Sequence, residues 1–262
     1  MPDSPLEGVR AKLHRAQTHF ENISTEIKSL LGPGGYSEEV VGHHFENREL
    51  VIRAKAPKTV DSGLSLVLGD CVHNLRSALD HLVLQLAVIN NRGKEAERKT
   101  AFPITLDSAA FKKATKDYVA PFISRDALKA IEEKQPYATL DPNDNSPLGH
   151  RSILWVLSQL DVIDKHRVIL TAQPQIAVAG FTAEGGAPVA IAEEQWKPLV
   201  DGQELIRFKG ALAGKLRLEF STVIHLKNTG LFCDGKGVQS TLDNCQRAVK
   251  HIVEEFENRF FR

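Results

Sequence analysis

The chain has 262 residues, in which 33 Lys and Arg balance 33 Asp and Glu. That length builds one large or two small domains with a proper core, and zero net charge writes no broad attraction to nucleic acid or membrane into the composition, leaving only a local basic patch. No apolar run approaches about 18 residues and no signal-peptide pattern opens the sequence, so the expectation is a cytoplasmic chain without a membrane partner.

Ser4-Pro5 is a helix cap followed by proline at the first helical position. Leu6, Val9, Leu13, Phe20, Ile23, Ile27 and Leu30 then mark an amphipathic helix that stops at Gly32-Pro33-Gly34-Gly35. His14 and His19 fall off the apolar spacing, which predicts solvated side chains. A hairpin is predicted next: Val40 to Phe45, a turn at Glu46-Asn47-Arg48, then Leu50, Ile52 and Ala54 alternating with Val51, Arg53 and Lys55. His43 and His44 invite a metal reading, but neighbours on a strand point to opposite faces and do not readily share an ion.

Asp61 to Asn91 is the longest stretch free of breakers. Leu64, Leu68, Cys71, Val72, Leu75, Leu79, Leu82, Leu86 and Ile89 recur at the spacing of a buried helical stripe, over about 45 Å of helix. The opposite side is unusual. Asp70, His73, Asn74, Ser77, Asp80, His81 and Gln85 fall on one narrow strip, where a plain solvent face would be richer in Lys and Glu. Such a strip suits hydrogen bonding or proton transfer, and it equally suits a polar network that fixes packing. Gly69 in mid-helix should cost about 1 kcal/mol relative to Ala, which points to close approach by another backbone.

Beyond it, Phe102-Pro103-Ile104 reads as a short packed segment. Asp107 and Ser124 are predicted to cap two short helices carrying Phe111, Ala114 and Tyr118, then Leu128 and Ile131. Gln135-Pro136 stops the second, and Asp141 to Asn145 is a polar loop. Ser146-Pro147 repeats the cap-plus-proline start of a helix carrying Ile153, Leu154, Leu157, Leu160 and Ile163. This helix closes on Asp161-Val162-Ile163-Asp164-Lys165-His166-Arg167, the second-richest cluster of chemical groups. Lys165, His166 and Arg167 also suit the macrodipole of a last turn, and Asp161 with Lys165 has the spacing of a surface pair.

From Val168 to Lys227 the period changes to two. Lys215 to Lys227 is the clearest strand, with Glu204 to Lys209, Gln175 to Phe181 and Val189 to Ala192 as predicted partners, and Gly185-Gly186 and Asp201-Gly202 as turns. No phosphate-binding glycine pattern is present. Ser240 or Thr241 is predicted to cap a final helix with the face Leu242, Cys245, Val249, Ile252, Val253, Phe256 and Phe260. Cys71, Cys233 and Cys245 are odd in number without a Cys-x-x-Cys pair, which disfavours disulfides and a zinc finger. The predicted fold is therefore one α+β domain over 1–262: a helical core of about 1–166 plus 238–262, with an N-terminal hairpin and an antiparallel sheet elaboration of about 168–227 before the last helix.

Arg76-Ser77-Ala78-Leu79-Asp80-His81 places an arginine and a histidine with four residues between them on a helix of this bundle. It resembles the signature of the HEPN superfamily (higher eukaryotes and prokaryotes nucleotide-binding domains). The wider pattern is Gly69-Asp70 through His73-Asn74-Leu75-Arg76-Ser77-Ala78-Leu79-Asp80-His81, Phe102-Pro103-Ile104 and Asp164-Lys165-His166-Arg167. It is similar to an uncharacterised bacterial family and covers most of residues 60 to 170, with no activity attached.

The superfamily resemblance implies a metal-independent endoribonuclease acting on RNA, or a non-enzymatic protein that binds nucleotides or regulates partners. On it, Arg76 would hold the scissile phosphate and His81 would assist proton transfer as the ribose 2′-hydroxyl attacks. Asp70, His73, Asn74, Ser77, Asp80, Asp164, Lys165, His166 and Arg167 would support them. Ser77 stands where the family commonly has Asn, Asp or His. Arg76 and His81 are also about 140° apart around a regular helix, and the homodimer implied by the resemblance would bring two such helices together. No cofactor is implied. A metal-dependent hydrolase using His73, Asp80 and His81 with Asp164 or His166 is a third reading, although no compact ligand motif supports it.

Overall fold

Four long amphipathic stretches cannot each bury an apolar face alone, and in the computed structural model they do so together. The structure describes residues 5–31, 37–44, 49–55, 62–96, 100–139, 152–166, 171–183, 189–190, 197–198, 200–209, 216–227 and 237–262. The central helix, Ser62–Ile89 (α2), follows the N-terminal helix Glu7–Leu31 (α1). Leu64, Leu68, Cys71, Val72, Leu75, Leu79, Leu82 and Leu86 of α2 are all buried, and so are Ala78, Val83 and Ala87 on its flanks. Burial that wide requires neighbours on several sides. They are α1, the short Gly93–Ala96 (α3), and two later helices, Ile153–His166 (α6) and Val238–Phe260 (α7). Each fully buried leucine contributes about 1.5–3 kcal/mol of transfer free energy.

α2 ends where Asn91 takes a left-handed φ of 58°. That residue turns the chain so that Arg92 N–H reaches Ala87 O and Asn91 N–H reaches Val88 O, which satisfies the last carbonyls. Two short helices follow, Ser108–Thr115 (α4) and Arg125–Glu133 (α5). Their caps are as expected: Asp107 accepts from Ala110 N at 2.7 Å and Ser124 from Ala127 N at 3.1 Å. Tyr118, however, lies past the end of α4 and is exposed, and the buried position is Thr115, whose hydroxyl bonds back to Phe111 O. α7 begins at Val238 with Gly237 as its N-cap, so Ser240 and Thr241 lie within the helix, and Thr241 is buried. The expected helix start at Ser146, the loop Asp141 to Asn145, Cys233 and Arg167 lie outside the described residues.

Strands pair into two antiparallel sets. Ser37–His44 (β1) pairs with Glu49–Lys55 (β2), and Thr171–Ala183 (β3) pairs with Val189–Ala190 (β4), Lys197–Pro198 (β5) and Leu216–Lys227 (β7). The expected placement of Glu204–Lys209 (β6) beside the 215–227 strand is corrected: it pairs with β2, Val51 opposite Arg207. Alternation reveals a half-buried strand and does not name its partner. The choice is visible in side chains, since Val51 and Leu205 are buried and the Arg53 guanidinium faces Glu204 at 3.8 Å, which also holds Arg207. β6 thus completes the N-terminal hairpin, while β3, β4, β5 and β7 of the 168–227 range pair with one another.

The segment Phe102 to Thr105 has no regular structure, yet Phe102 and Pro103 are buried. Backbone groups in such a place need partners, and side chains supply them. Gln135, fully buried, donates to Pro103 O at 2.8 Å and Ile131 O at 3.1 Å, and accepts from Thr105 N at 3.0 Å. Gln135→Ala leaves these groups unpaired and is expected to cost about 2–3 kcal/mol. A lowered urea midpoint at unchanged slope checks it.

Candidate functional site

The first half of the same segment is held by Arg76. Arg76, 13% exposed, donates from Nη2 to Phe102 O at 2.7 Å and lies 3.0 Å from Asp80 Oδ1. Asp80 Oδ1 in turn accepts Phe102 N–H at 2.8 Å. One residue's amide and carbonyl are therefore clamped by two side chains one helical turn apart, while Arg76 Nη1 is buried without a partner. Burial raises the Asp80 carboxyl above the usual carboxylate range, and Arg76 and the Phe102 amide partly offset this. His81 goes elsewhere. A side chain at Gly8 of α1 would come within 3.3 Å of its Nδ1, so α2 sends Arg76 and His81 to different neighbours.

A second arrangement joins α2 to α6. The helices run so that Asp161 stands opposite His73, and Asp164, one turn on, stands opposite Gly69. His73, 46% exposed, has Nδ1 3.2 Å from Asp161 Oδ1. Asp161 is only 5% exposed, and its other oxygen accepts from Lys165 Nζ at 2.8 Å. The Asp161–Lys165 pair expected on the surface is therefore inside on its acidic end. Asp161 was not among the site residues expected from sequence, although the apolar spacing marks it: it lies seven after Leu154 and four after Leu157, both buried.

At Gly69, an added Cβ would lie 2.6 Å from Cγ and 2.7 Å from Oδ2 of Asp164, and closer still to Oδ1. The close approach that the glycine implied is thus made by a carboxylate. Burial raises the Asp164 carboxyl, the Asp161 and Asp70 carboxylates raise it further, and His73 and Lys165 oppose them. Asn74 bonds back to Asp70 O at 2.8 Å, and Ser77 is half-buried. His166 is the last residue of α6, but its side chain, like all of Arg167, lies outside the described residues. His19, expected in solvent, is buried on α1 with Nδ1 unpartnered. Burial and the nearby Arg15 lower its pKa against the opposing field of Asp70.

The expected strip thus divides. Asp70, His73, Asp164 and Lys165 gather with Asp161 at the α2–α6 seam, Arg76 and Asp80 clamp Phe102, and His81 faces α1. Among the described residues no group of three or more His, Cys, Asp or Glu side chains is placed to hold a metal ion, and no helix is long and apolar enough to cross a membrane. A groove of about 380 Å³ opens between α1 and α7 over Leu13, Leu75 and Val253, and no residue of the polar strip lines it. Comparison of the chain with family models, curated proteins and solved structures gives no match.

Proposed function

We propose that the protein is a HEPN-like endoribonuclease that works without a metal, with His73 as its general base. The observation that carries this reading is the half-exposed His73 held by the buried Asp161. Asp161 accepts from the Lys165 ammonium with one oxygen, and with the other it takes the Nδ1 proton of His73 and leaves Nε2 with the lone pair. A buried carboxylate that fixes the tautomer and orientation of an accessible imidazole is the general-base arrangement of hydrolytic and transfer enzymes. RNA as substrate comes from the Arg76 and His81 resemblance, and the 2′-hydroxyl is the proton donor such a base would serve.

Homodimerisation enters with the same resemblance, although the His73–Asp161 pair is formed within one chain. Light scattering of the purified protein reads it directly. A second reading is favoured by one specific contact: Arg76 and Asp80 are committed to Phe102, which leaves no free signature arginine for a phosphate and suits a non-enzymatic nucleotide-binding or regulatory protein. Labelled single-stranded RNA of mixed sequence, incubated with the protein and a chelator, separates the two. The nuclease is expected to give fragments ending in 2′,3′-cyclic phosphate. Nucleotide or RNA binding without cleavage, with and without divalent ions, would replace it by the binding protein.

A further inference from the structure

We infer that Asp164 is the proton donor that works opposite His73, seated there by the missing side chain at Gly69. This rests on the reading of His73 as the base in RNA cleavage. The three carboxyl atoms of Asp164 fill the place where the side chain of residue 69 would begin. Residues 69 and 73 are four apart on one helix, so their side-chain positions are roughly 5–6 Å from each other on the same face. Asp164 thereby brings a carboxyl group from α6 to a point about one turn from the imidazole. Asp161, three residues earlier on α6, holds Nδ1 of that imidazole at 3.2 Å.

The two aspartates have different surroundings, and their roles divide accordingly. Asp161 is tied to His73 and Lys165, whereas Asp164 has no ion-pair partner among the described residues. The charged groups around Asp164 are Asp161 and Lys165 from its own helix and Asp70 and His73 from α2. Burial and the two carboxylates outweigh the cations, so the group keeps its proton to higher pH than an ordinary aspartate. Neighbouring titratable groups whose environments push their affinities for protons apart are the usual basis of an acid and base pair. In the step itself His73 Nε2 takes the 2′-hydroxyl proton, O2′ bonds to phosphorus, and the bond from phosphorus to O5′ breaks. Asp164 gives its proton to the departing O5′. One proton is gained at His73 and one lost at Asp164, and transfer from the imidazolium to the carboxylate through solvent restores both.

A glycine in the middle of α2 weakens the helix, and the seat for Asp164 accounts for its presence. Three variants test the inference. Asp164→Asn is expected to lower kcat on RNA by about 10²- to 10⁴-fold, with KM little changed, and to remove the alkaline limb of the pH–rate profile. Gly69→Ala should lower kcat at least tenfold by displacing the carboxyl while leaving its chemistry in place. Asp164→Glu should restore part of the Asn loss.

A structural readout accompanies them. The raised folded-state pKa means that the stability linked to the Asp164 proton is full below its unfolded value of 3.8 and is lost as pH rises through the folded value. Asp164→Asn should therefore melt higher than wild type at neutral pH, and the difference should close as pH falls towards that value. Wild-type cleavage matched by Asp164→Asn, with an unchanged pH profile, overturns the inference and leaves His73 as the base. Absence of wild-type cleavage overturns the reading beneath it as well.

Discussion

Arg76→Ala is expected to destabilise the fold by about 3 kcal/mol, whatever it does to activity. The guanidinium is 13% exposed and touches both Phe102 O and Asp80. Its removal strands a carbonyl and leaves the Asp80 carboxylate, already raised by burial, without its cation. Breaking a buried pair on one side costs more than the pair contributed, because the remaining charge stays desolvated. For a chain of this size the loss corresponds to roughly 6–10 °C in melting temperature. Arg76→Lys should fall between, since a point charge cannot serve both oxygens as a planar fork does. Arg76→Ala combined with Asp80→Asn should recover part of the loss, because the amide oxygen still accepts the Phe102 N–H and the stranded charge is gone. An unchanged melting temperature for Arg76→Ala would dismiss the clamp. The same result bears on function: loss of RNA cleavage in this variant identifies a catalytic group only at temperatures where the variant is still folded.

What the sequence disclosed follows from which forces leave a periodic trace. The stripe from Leu64 to Leu86 gave α2, and the caps at Asp107 and Ser124 gave α4 and α5, because burial and capping act on residues a few positions apart. The partner of β6 left no such trace. A strand's pattern is the same on either neighbour, and the Arg53 to Glu204 contact joins positions 151 apart in the chain. His19 was misplaced for a related reason: it lies off the apolar spacing, and only the packing of α1 on α2 makes it interior.

The candidate site was legible in composition and illegible in its division of labour. A strip of Asp, His, Asn and Ser without Lys or Glu marked α2, and Gly69 marked a close approach. Sequence spacing could not tell that Arg76 and Asp80 spend their hydrogen bonds on Phe102, since the peptide they hold is more than twenty residues away. Nor could it tell that the approach at Gly69 is a carboxylate. Buried charges need partners, and α2 and α6 supply one another's. The pairing of His73 with Asp161 is the form that need takes.

The largest effect on activity is expected at the seam itself. His73→Ala should reduce RNA cleavage by about 10²- to 10⁴-fold, the range of a lost general base, while the melting temperature moves little, because the ring is 46% exposed and leaves no cavity. Asp161→Asn keeps the volume and removes the charge. An amide can present its NH2 group to Nδ1, which favours the tautomer with the proton on Nε2 and so disables the base. A loss of about the same size is expected from it, with the double variant no worse than either single one, since groups acting as one unit are not additive. Asp161→Asn should also melt lower than wild type, because Lys165 then loses its carboxylate. His81→Ala is the contrasting variant: its ring lies against Gly8 of α1, away from the seam, so cleavage should stay within a few-fold of wild type. Should His81→Ala abolish cleavage while His73→Ala retains it, with both proteins folded, the base is the signature histidine and the seam is structural.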